Sequence, residues 1–240
     1  VTDPWRVLPL QVDDAATLLD DGMAAFDALA GSPTPTLRWY RSTAPAIVLG
    51  RGQANVRLHD VGSVVVTRFS GGGAVWLSPD VLSLDVLLPA GHPWASERLT
   101  DAFDHVGVAW LSGLRDLGIT GLTVHDGAST ARRRGSAREQ LLAAICYATR
   151  GRGEIFWRGR KLVGLAQRRR RHGAMVQCGV LRRWRPQTLL TALGADPDDE
   201  EIRDAAVGLA DIDASAPSDD DVMTTVSRAF RQAVVTSVAG

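Results

Sequence analysis

Val64-Val65-Val66-Thr67-Arg68-Phe69-Ser70-Gly71-Gly72-Gly73-Ala74-Val75 is an apolar run that breaks into three consecutive glycines. β-Branched residues in series read as a strand. Three glycines allow positive φ angles and a close approach of backbone N–H groups to whatever lies beside them. Residues 74–77 and 82–88 again read as strands, so the turn joins strand to strand. A Rossmann fingerprint opens a helix instead, and no Gly-x-x-x-x-Gly-Lys-Ser/Thr phosphate loop occurs. By itself the turn fits either a tight connection or a ligand cradle.

The second informative stretch is Gly159-Arg160-Lys161-Leu162-Val163-Gly164-Leu165-Ala166-Gln167. Lys161 is the single lysine among 27 basic residues, the other 26 being arginine. An ammonium is a compact point charge with a tunable pKa, whereas a guanidinium is planar, bulky and permanently charged. A lysine kept in an arginine-saturated chain is therefore a candidate for chemistry that arginine cannot perform.

Outward from these stretches the pattern is mixed. Residues 5–10 read as a strand, and Asp13 is placed to cap a helix running to about residue 30, with Leu19, Met23, Phe26 and Ala30 on one face. Residues 37–40 and 46–49 read as strands. Ser96 is placed to cap a helix to about 117, carrying Leu99, Phe103, Val106, Trp110 and Leu114 at helical spacing. Residues 122–125 read as a strand and 126–140 as a mobile loop rich in Gly, Ser and Arg. Strands are expected at 145–148, 154–157, 161–167 and 174–181, then helices near 187–193, 199–209 and 219–236. Sheet first and helices last predicts an α+β class. Residues 1–185 read as the main domain and 186–240 as a helical extension packed on it.

The chain has 240 residues, 45% hydrophobic, and charges that cancel at 27 against 27. That supports a full core without disulfides. Two cysteines, Cys146 and Cys178, make no disulfide framework and point to a reducing compartment. No apolar run reaches membrane-spanning length and no N-terminal leader is evident, which predicts a soluble, cytoplasmic protein without a membrane partner. Basic clusters at 132–134, 150–160, 168–171 and 182–185 suit phosphates or an acidic partner, or are solvated faces. No nucleic-acid motif accompanies them. The histidines, at 59, 92, 105, 125 and 172, show no metal-ligand spacing, so no metal site is expected.

Arg68 is placed to grip a carboxylate or phosphate bidentately. Cys146, 15 residues before Lys161, is a nucleophile if a cation lowers its pKa, and otherwise an ordinary core cysteine. Cys178 has the same two readings.

Together these residues carry a resemblance. Val66 to Val75 resembles the Arg-Arg-x-Ser-Gly-Gly-Gly-Ala-Val segment of the lipoate–protein ligase A family. Gly159 to Gln167, followed by Gln177-Cys178-Gly179, resembles its Gly-x-Lys-x-x-Gly-x-Ala-Gln segment and the next strand. Arg38-Trp39-Tyr40 and Leu49-Gly50-Arg51-Gly52-Gln53 resemble its early Arg-x-Tyr and Leu-Gly-x-x-Gln. Order and spacing agree over about residues 35–185. The chain departs from the family at Thr67, where an Arg is usual, at 77–81, where His-Asp is usual, and at Cys178, where a His is usual.

The resemblance implies the fold shared by biotin and lipoyl protein ligases: a mixed sheet carrying the site and packed by helices. It implies a lipoylation enzyme that joins lipoate or octanoate to a lysine of an acidic lipoyl domain through an acyl-adenylate, using ATP and Mg²⁺. Lys161 is then catalytic. Arg68, Ser70, Gly71, Gly72, Gly73, Ala74, Gly164, Ala166, Gln167, Cys178 and Gly179 are then substrate-binding. The cysteine-dependent octanoyltransferases of the same superfamily offer an alternative, in which Cys146 takes octanoyl from acyl carrier protein as a thioester and needs no cofactor. A second alternative is a non-catalytic acyl-binding module.

Overall fold

The computed structural model describes residues 5–237 apart from 60, 61, 97 and 133, with side chains to 233. Arg133, of the 132–134 cluster, therefore lies outside the described residues. The strands are β1 (Arg6–Asp13), β2 (Thr36–Ser42), β3 (Ala46–Leu49), β4 (Val64–Thr67), β5 (Val75–Leu77), β6 (Val81–Pro89), β7 (Leu122–Val124), β8 (Ile155–Trp157), β9 (Arg160–Arg170) and β10 (Gly173–Leu181). The helices are α1 (Ala15–Asp27), α2 (Asp101–Asp116), α3 (Ala137–Ala144), α4 (Gln187–Ala192), α5 (Glu200–Ala205), α6 (Leu209–Ile212) and α7 (Asp219–Ser237).

The described strands form two sheets. The larger has the order β1-β2-β6-β10-β9-β8-β7 and the smaller β4-β3-β5. The larger is mixed, since β1 runs parallel to β2 while its other pairs are antiparallel. Only α1 and α2 interrupt the strands of the first half, so the α+β class holds, though helices are not confined to the end.

Side chains alternate across a strand, and the larger sheet uses both faces. Leu37 and Trp39 of β2, Leu82, Leu84, Val86 and Leu88 of β6, and Val176 and Val180 of β10 enter one core. There they meet Ala102, Val106, Trp110 and Leu114 of α2 and Val222, Val226 and Phe230 of α7. Gly113 lets the two helices touch, because a Cβ there would come within 2.8 Å of Val226. The opposite face carries Arg38, Tyr40, Ser83, Asp85, Gln177 and Gly179, and the smaller sheet lies over part of it.

Several local expectations shift. Asp14, rather than Asp13, caps α1, accepting from the N–H groups of Ala16 and Thr17. The second helix starts at Asp101 after Thr100, and Leu99 outside it is 63% exposed. Residues 137–140, read as the end of a loop, begin α3, which runs to Ala144 and is opened by a capping box of Ser136 and Glu139. That signature is legible as Ser-x-x-Glu, but the arginine-rich surroundings hid it. Residues 145–148, read as a strand, form a single 3-10 turn at Cys146–Ala148, with Ile145 alone bridging to Ala74.

Candidate active site

The pairing of four strands lays out the floor of a cavity. Tyr40 pairs with Ser83, Ser83 with Gly179, and Gly179 with Gly164. One step along, Arg38 pairs with Asp85, Asp85 with Gln177, and Gln177 with Ala166. Both rows lie on the face away from α2 and α7. Leu19 of α1, Val48 of β3, and Val75 and Leu77 of β5 form the roof and walls of a narrow cavity of about 60 Å³. Its lining is mostly apolar with a few placed polar groups, as sites for small ligands are.

Cys146 enters this cavity at the β9 end. Its N–H donates to the Ala74 carbonyl (2.9 Å), and the Ala74 N–H donates to Ala144 (2.6 Å). Gly73 allows that approach: a Cβ there would come within 2.6 Å of the Cys146 nitrogen. The glycine turn and the Cys146 turn are thus locked together, backbone against backbone. Next to Cys146, the Tyr147 ring lies over Gly164 and Gly179 and its hydroxyl donates to the Gly179 carbonyl (2.7 Å). Side chains at either glycine would displace it.

Lys161 is 0% exposed. Its Nζ donates to the Cys146 carbonyl (2.7 Å) and pairs with Oε2 of Glu154 (2.6 Å). Glu154 is also buried and accepts from the Gly151 N–H (2.5 Å) and the Leu165 N–H (3.3 Å). The ammonium also faces the rings of Tyr147 and Phe156, 5.8 and 6.0 Å from their centroids. Burial dominates and holds the Cys146 thiol above its ordinary range, against the pull of Lys161 and Arg68 and with a further push from the Glu154 carboxylate. Burial likewise raises Glu154 against the opposing pull of Lys161.

A polar chain crosses the other row. The Ser70 hydroxyl donates to Gln177 (2.6 Å), the Gln177 amide reaches Asp85 (3.4 Å), and Asp85 pairs with Arg38 (2.7 Å). Arg38 completes its bonding at Gln11 (2.6 Å) and the Leu18 carbonyl (2.8 Å). Burial raises Asp85 and Arg38 opposes the rise.

A model of the lipoyl protein ligase A/B catalytic domain matches residues 22–231. The chain belongs to this family. Octanoyltransferase LipM of Moorella thermoacetica is 31% identical over 186 residues, 72% of this chain, and the chain spans 65% of that relative's length. The fold is that of a lipoate-protein ligase A crystallised with ATP, with a TM-score of 0.69 at 18% identity over 96% of this chain and 85% of that one. It is also that of the bi-partite lipoate protein ligase of Thermoplasma acidophilum, studied with its E2 lipoyl domain, with a TM-score of 0.64 at 19% identity over 96% and 83% of the two chains.

Against that family pattern the expected residues divide. Cys146, Gly164, Ala166 and Gly179 line the cavity, while Ser70 reaches its floor through Gln177. Lys161 does not line it, nor do Gly71, Gly72, Gly73 or Ala74. The glycine turn and Lys161 flank Cys146, Gly73 against its N–H side and Lys161 on its carbonyl. Arg68 borders the cavity but its N–H groups bind the carbonyls of Val48 (3.3 Å), Gly71 (2.7 Å) and Gly73 (2.7 Å), so it straps the glycine turn. Gln167 is not among the lining residues, and its strand parity matches Val163 and Leu165 in the helix-side core. Cys178 borders the cavity by its place on β10, yet its thiol belongs to that same core, where burial pushes it up.

Of the arginines at 168–171, Arg168 donates to the Phe69 carbonyl (3.3 Å) at the cavity rim. Arg169 binds the Ser96 carbonyl (2.5 Å) and Arg170 pairs with Asp27 (2.6 Å), both away from it. Three residues escaped the sequence reading: Glu154, Tyr147 and Asp85. Glu154 had one visible signal, an acid seven residues before the single lysine. Among the described residues no group of three His, Cys, Asp or Glu side chains is placed to hold a metal ion, and no helix is long and apolar enough to cross a membrane.

Proposed function

We propose that the protein transfers a medium-length acyl group through a thioester on Cys146 to a lysine of a lipoyl domain. The observation that carries this reading is Cys146 itself, at the end of an apolar cavity with a buried ammonium on its carbonyl. A nucleophilic cysteine needs a nearby cation and a substrate path, and both meet at this residue. The relative named octanoyltransferase LipM supports the acyl class. The Thermoplasma ligase studied with its E2 lipoyl domain supports the acceptor.

The chemistry balances in two steps. The Cys146 thiol gives up its proton and, as the thiolate, attacks the carbonyl of an acyl thioester carried by acyl carrier protein; the new S–C bond forms, the donor C–S bond breaks, and that proton ends on the departing donor sulfur. The acceptor amine then attacks the acyl-cysteine; the C–N bond forms, the S–C bond breaks, and the amine proton returns to the Cys146 sulfur. Lys161 stabilises charge on the thiolate in both steps. The adenylate route receives less support. Arg68, the cation expected to face phosphate, is turned to three backbone carbonyls, and Gly73 is packed on Cys146.

The test is mass spectrometry of the purified protein incubated with octanoyl acyl carrier protein. A +octanoyl adduct on Cys146, its transfer to a lipoyl domain, and no adduct with Cys146→Ser are expected. ATP–pyrophosphate exchange with lipoate, retained by Cys146→Ser, would establish the ligase instead.

A further inference from the structure

The cavity runs across strands, and its length is therefore set by strand spacing. Cys146 and Tyr147 pack over β9, where the Tyr147 ring covers Gly164 and Gly179. From there the same register row continues through Ser83 on β6 to Tyr40 on β2. Neighbouring strands lie about 4.8 Å apart, so the row from Gly164 to Tyr40 spans three steps, roughly 14 Å. Ser83 and Tyr40 both line the cavity and are 3% and 4% exposed.

Tyr40 cannot yield easily. The Arg38 guanidinium lies 4.8 Å from its ring centroid. Ser83 and Asp85 are electrostatic neighbours of its hydroxyl. Asp85 in turn is fixed by Arg38 and Gln177. An apolar chain growing from Cys146 passes the Tyr147 ring, which fills the row over the two glycines, then Ser83, and meets a ring backed by a buried ion pair. A methyl end pushed further must desolvate or displace those charges, which is costly.

We propose that Tyr40 is the end wall that fixes the length of acyl chain the cavity accepts, and that Ser83 keeps the path to it open. This rests on the acyl-transfer reading above. Tyr40 is a specificity-determining residue here, with Arg38 and Asp85 holding it in place. One methylene in an apolar pocket is worth roughly 10- to 200-fold in discrimination, so a displaced wall should be plain in a chain-length profile.

The experiment reads room in the cavity without needing acyl transfer. Hexyl, octyl, decyl and dodecyl methanethiosulfonates each convert the Cys146 thiol to a mixed disulfide and release methanesulfinate. Labelling rates are measured by mass spectrometry on the whole protein with Cys178→Ala as background. Tyr40→Ala is expected to move the longest readily accepted chain up by at least two carbons, with a gain of roughly 10-fold or more for that chain. Ser83→Leu is expected to move the limit down, and Tyr40→Phe to leave it in place because the ring stays. Damage to folding alone would expose the buried thiol and speed labelling at every chain length together, and opposite shifts from two positions on one row exclude it. An unchanged or shortened profile in a folded Tyr40→Ala protein, or an unchanged one in Ser83→Leu, overturns the proposal. The same profile with octanoyl acyl carrier protein homologues then separates the two readings: absence of any acyl adduct defeats acyl transfer, while the thiosulfonate limits still decide the wall.

Discussion

Two buried ion pairs stand in and behind the same cavity, and they are built differently. Arg38–Asp85, 2.7 Å apart, joins facing residues of β2 and β6, so the sheet register itself creates it. Gln11, the Leu18 carbonyl and Gln177 complete its bonding. Lys161–Glu154, 2.6 Å apart, is equally dry, but its ammonium reaches out of the pair to the Cys146 carbonyl. The first pair is closed on the fold around it; the second is open toward one residue. Buried ion pairs seldom increase stability over an apolar substitute. An open one next to a thiol is better explained by chemistry than by folding.

The most severe way to break this comparison is Lys161→Arg. A planar guanidinium has no room where an ammonium is 0% exposed. Transfer should fall by about 100-fold or more, and the chain should also lose stability. Normal turnover by a folded Lys161→Arg protein, measured with a lipoyl-domain acceptor, would falsify the role given to Lys161.

Glu154→Gln and Asp85→Asn sharpen it. Each leaves a buried cation without its partner, so urea unfolding should show a loss of about 3–5 kcal/mol in both. Only the first should alter Cys146. The Glu154 carboxylate pushes the thiol up, so its loss should move the pH midpoint of Cys146 alkylation down. Asp85→Asn should leave that midpoint in place. Equal behaviour of the two variants would erase the distinction between an open and a closed pair.

Gly73→Ala probes the frame that holds Cys146. Its Cβ would fall 2.6 Å from the Cys146 nitrogen and 2.7 Å from the Ile145 carbonyl carbon, backbone atoms that cannot turn aside. Overpacking costs about 1–3 kcal/mol, and displacement of the nucleophile by about 1 Å costs roughly 100-fold in rate. Gly71→Ala, with nothing within 4 Å, should change neither. The smallest effect is expected from Cys178→Ala. Its thiol sits on the helix face, so acyl transfer should stay within about twofold, with a stability loss near 1 kcal/mol. A large drop in activity would place Cys178 in the cavity after all.

Some of this was legible in residues. The strand before the glycines, the lone lysine and the cysteine 15 positions ahead of it identified the family pattern and the pieces of the site. The roles of several pieces were not legible. Arg68 reads as an anion grip because a bidentate cation beside a glycine turn usually is one, yet the nearest acceptors are the turn's own carbonyls. Cys178 and Gln167 read as site residues from their motifs, but strand alternation turns them to the helix side. Residues 145–148 read as a strand because Ile-Cys-Tyr-Ala is apolar, whereas the approach of Gly73 bends them into a turn.

What the sequence determined by itself is the local chemistry: where strands and turns fall, which residue types are scarce, and that a thiol and an ammonium are available. Those follow from neighbours within a few positions, whose sterics and periodicity are written in order. What the tertiary structure decided is which groups meet. Glu154 finds Lys161, Gly73 admits Cys146, and Tyr40 ends a row that begins at Gly164, because sheet register brings together residues up to about 140 positions apart. Pairing across strands depends on the whole hydrophobic pattern and not on any single motif. For that reason a reactive cysteine could be suspected from its spacing to Lys161, while the Glu154–Lys161 pair beside it and Tyr40 at the other end of the row emerged only from the fold.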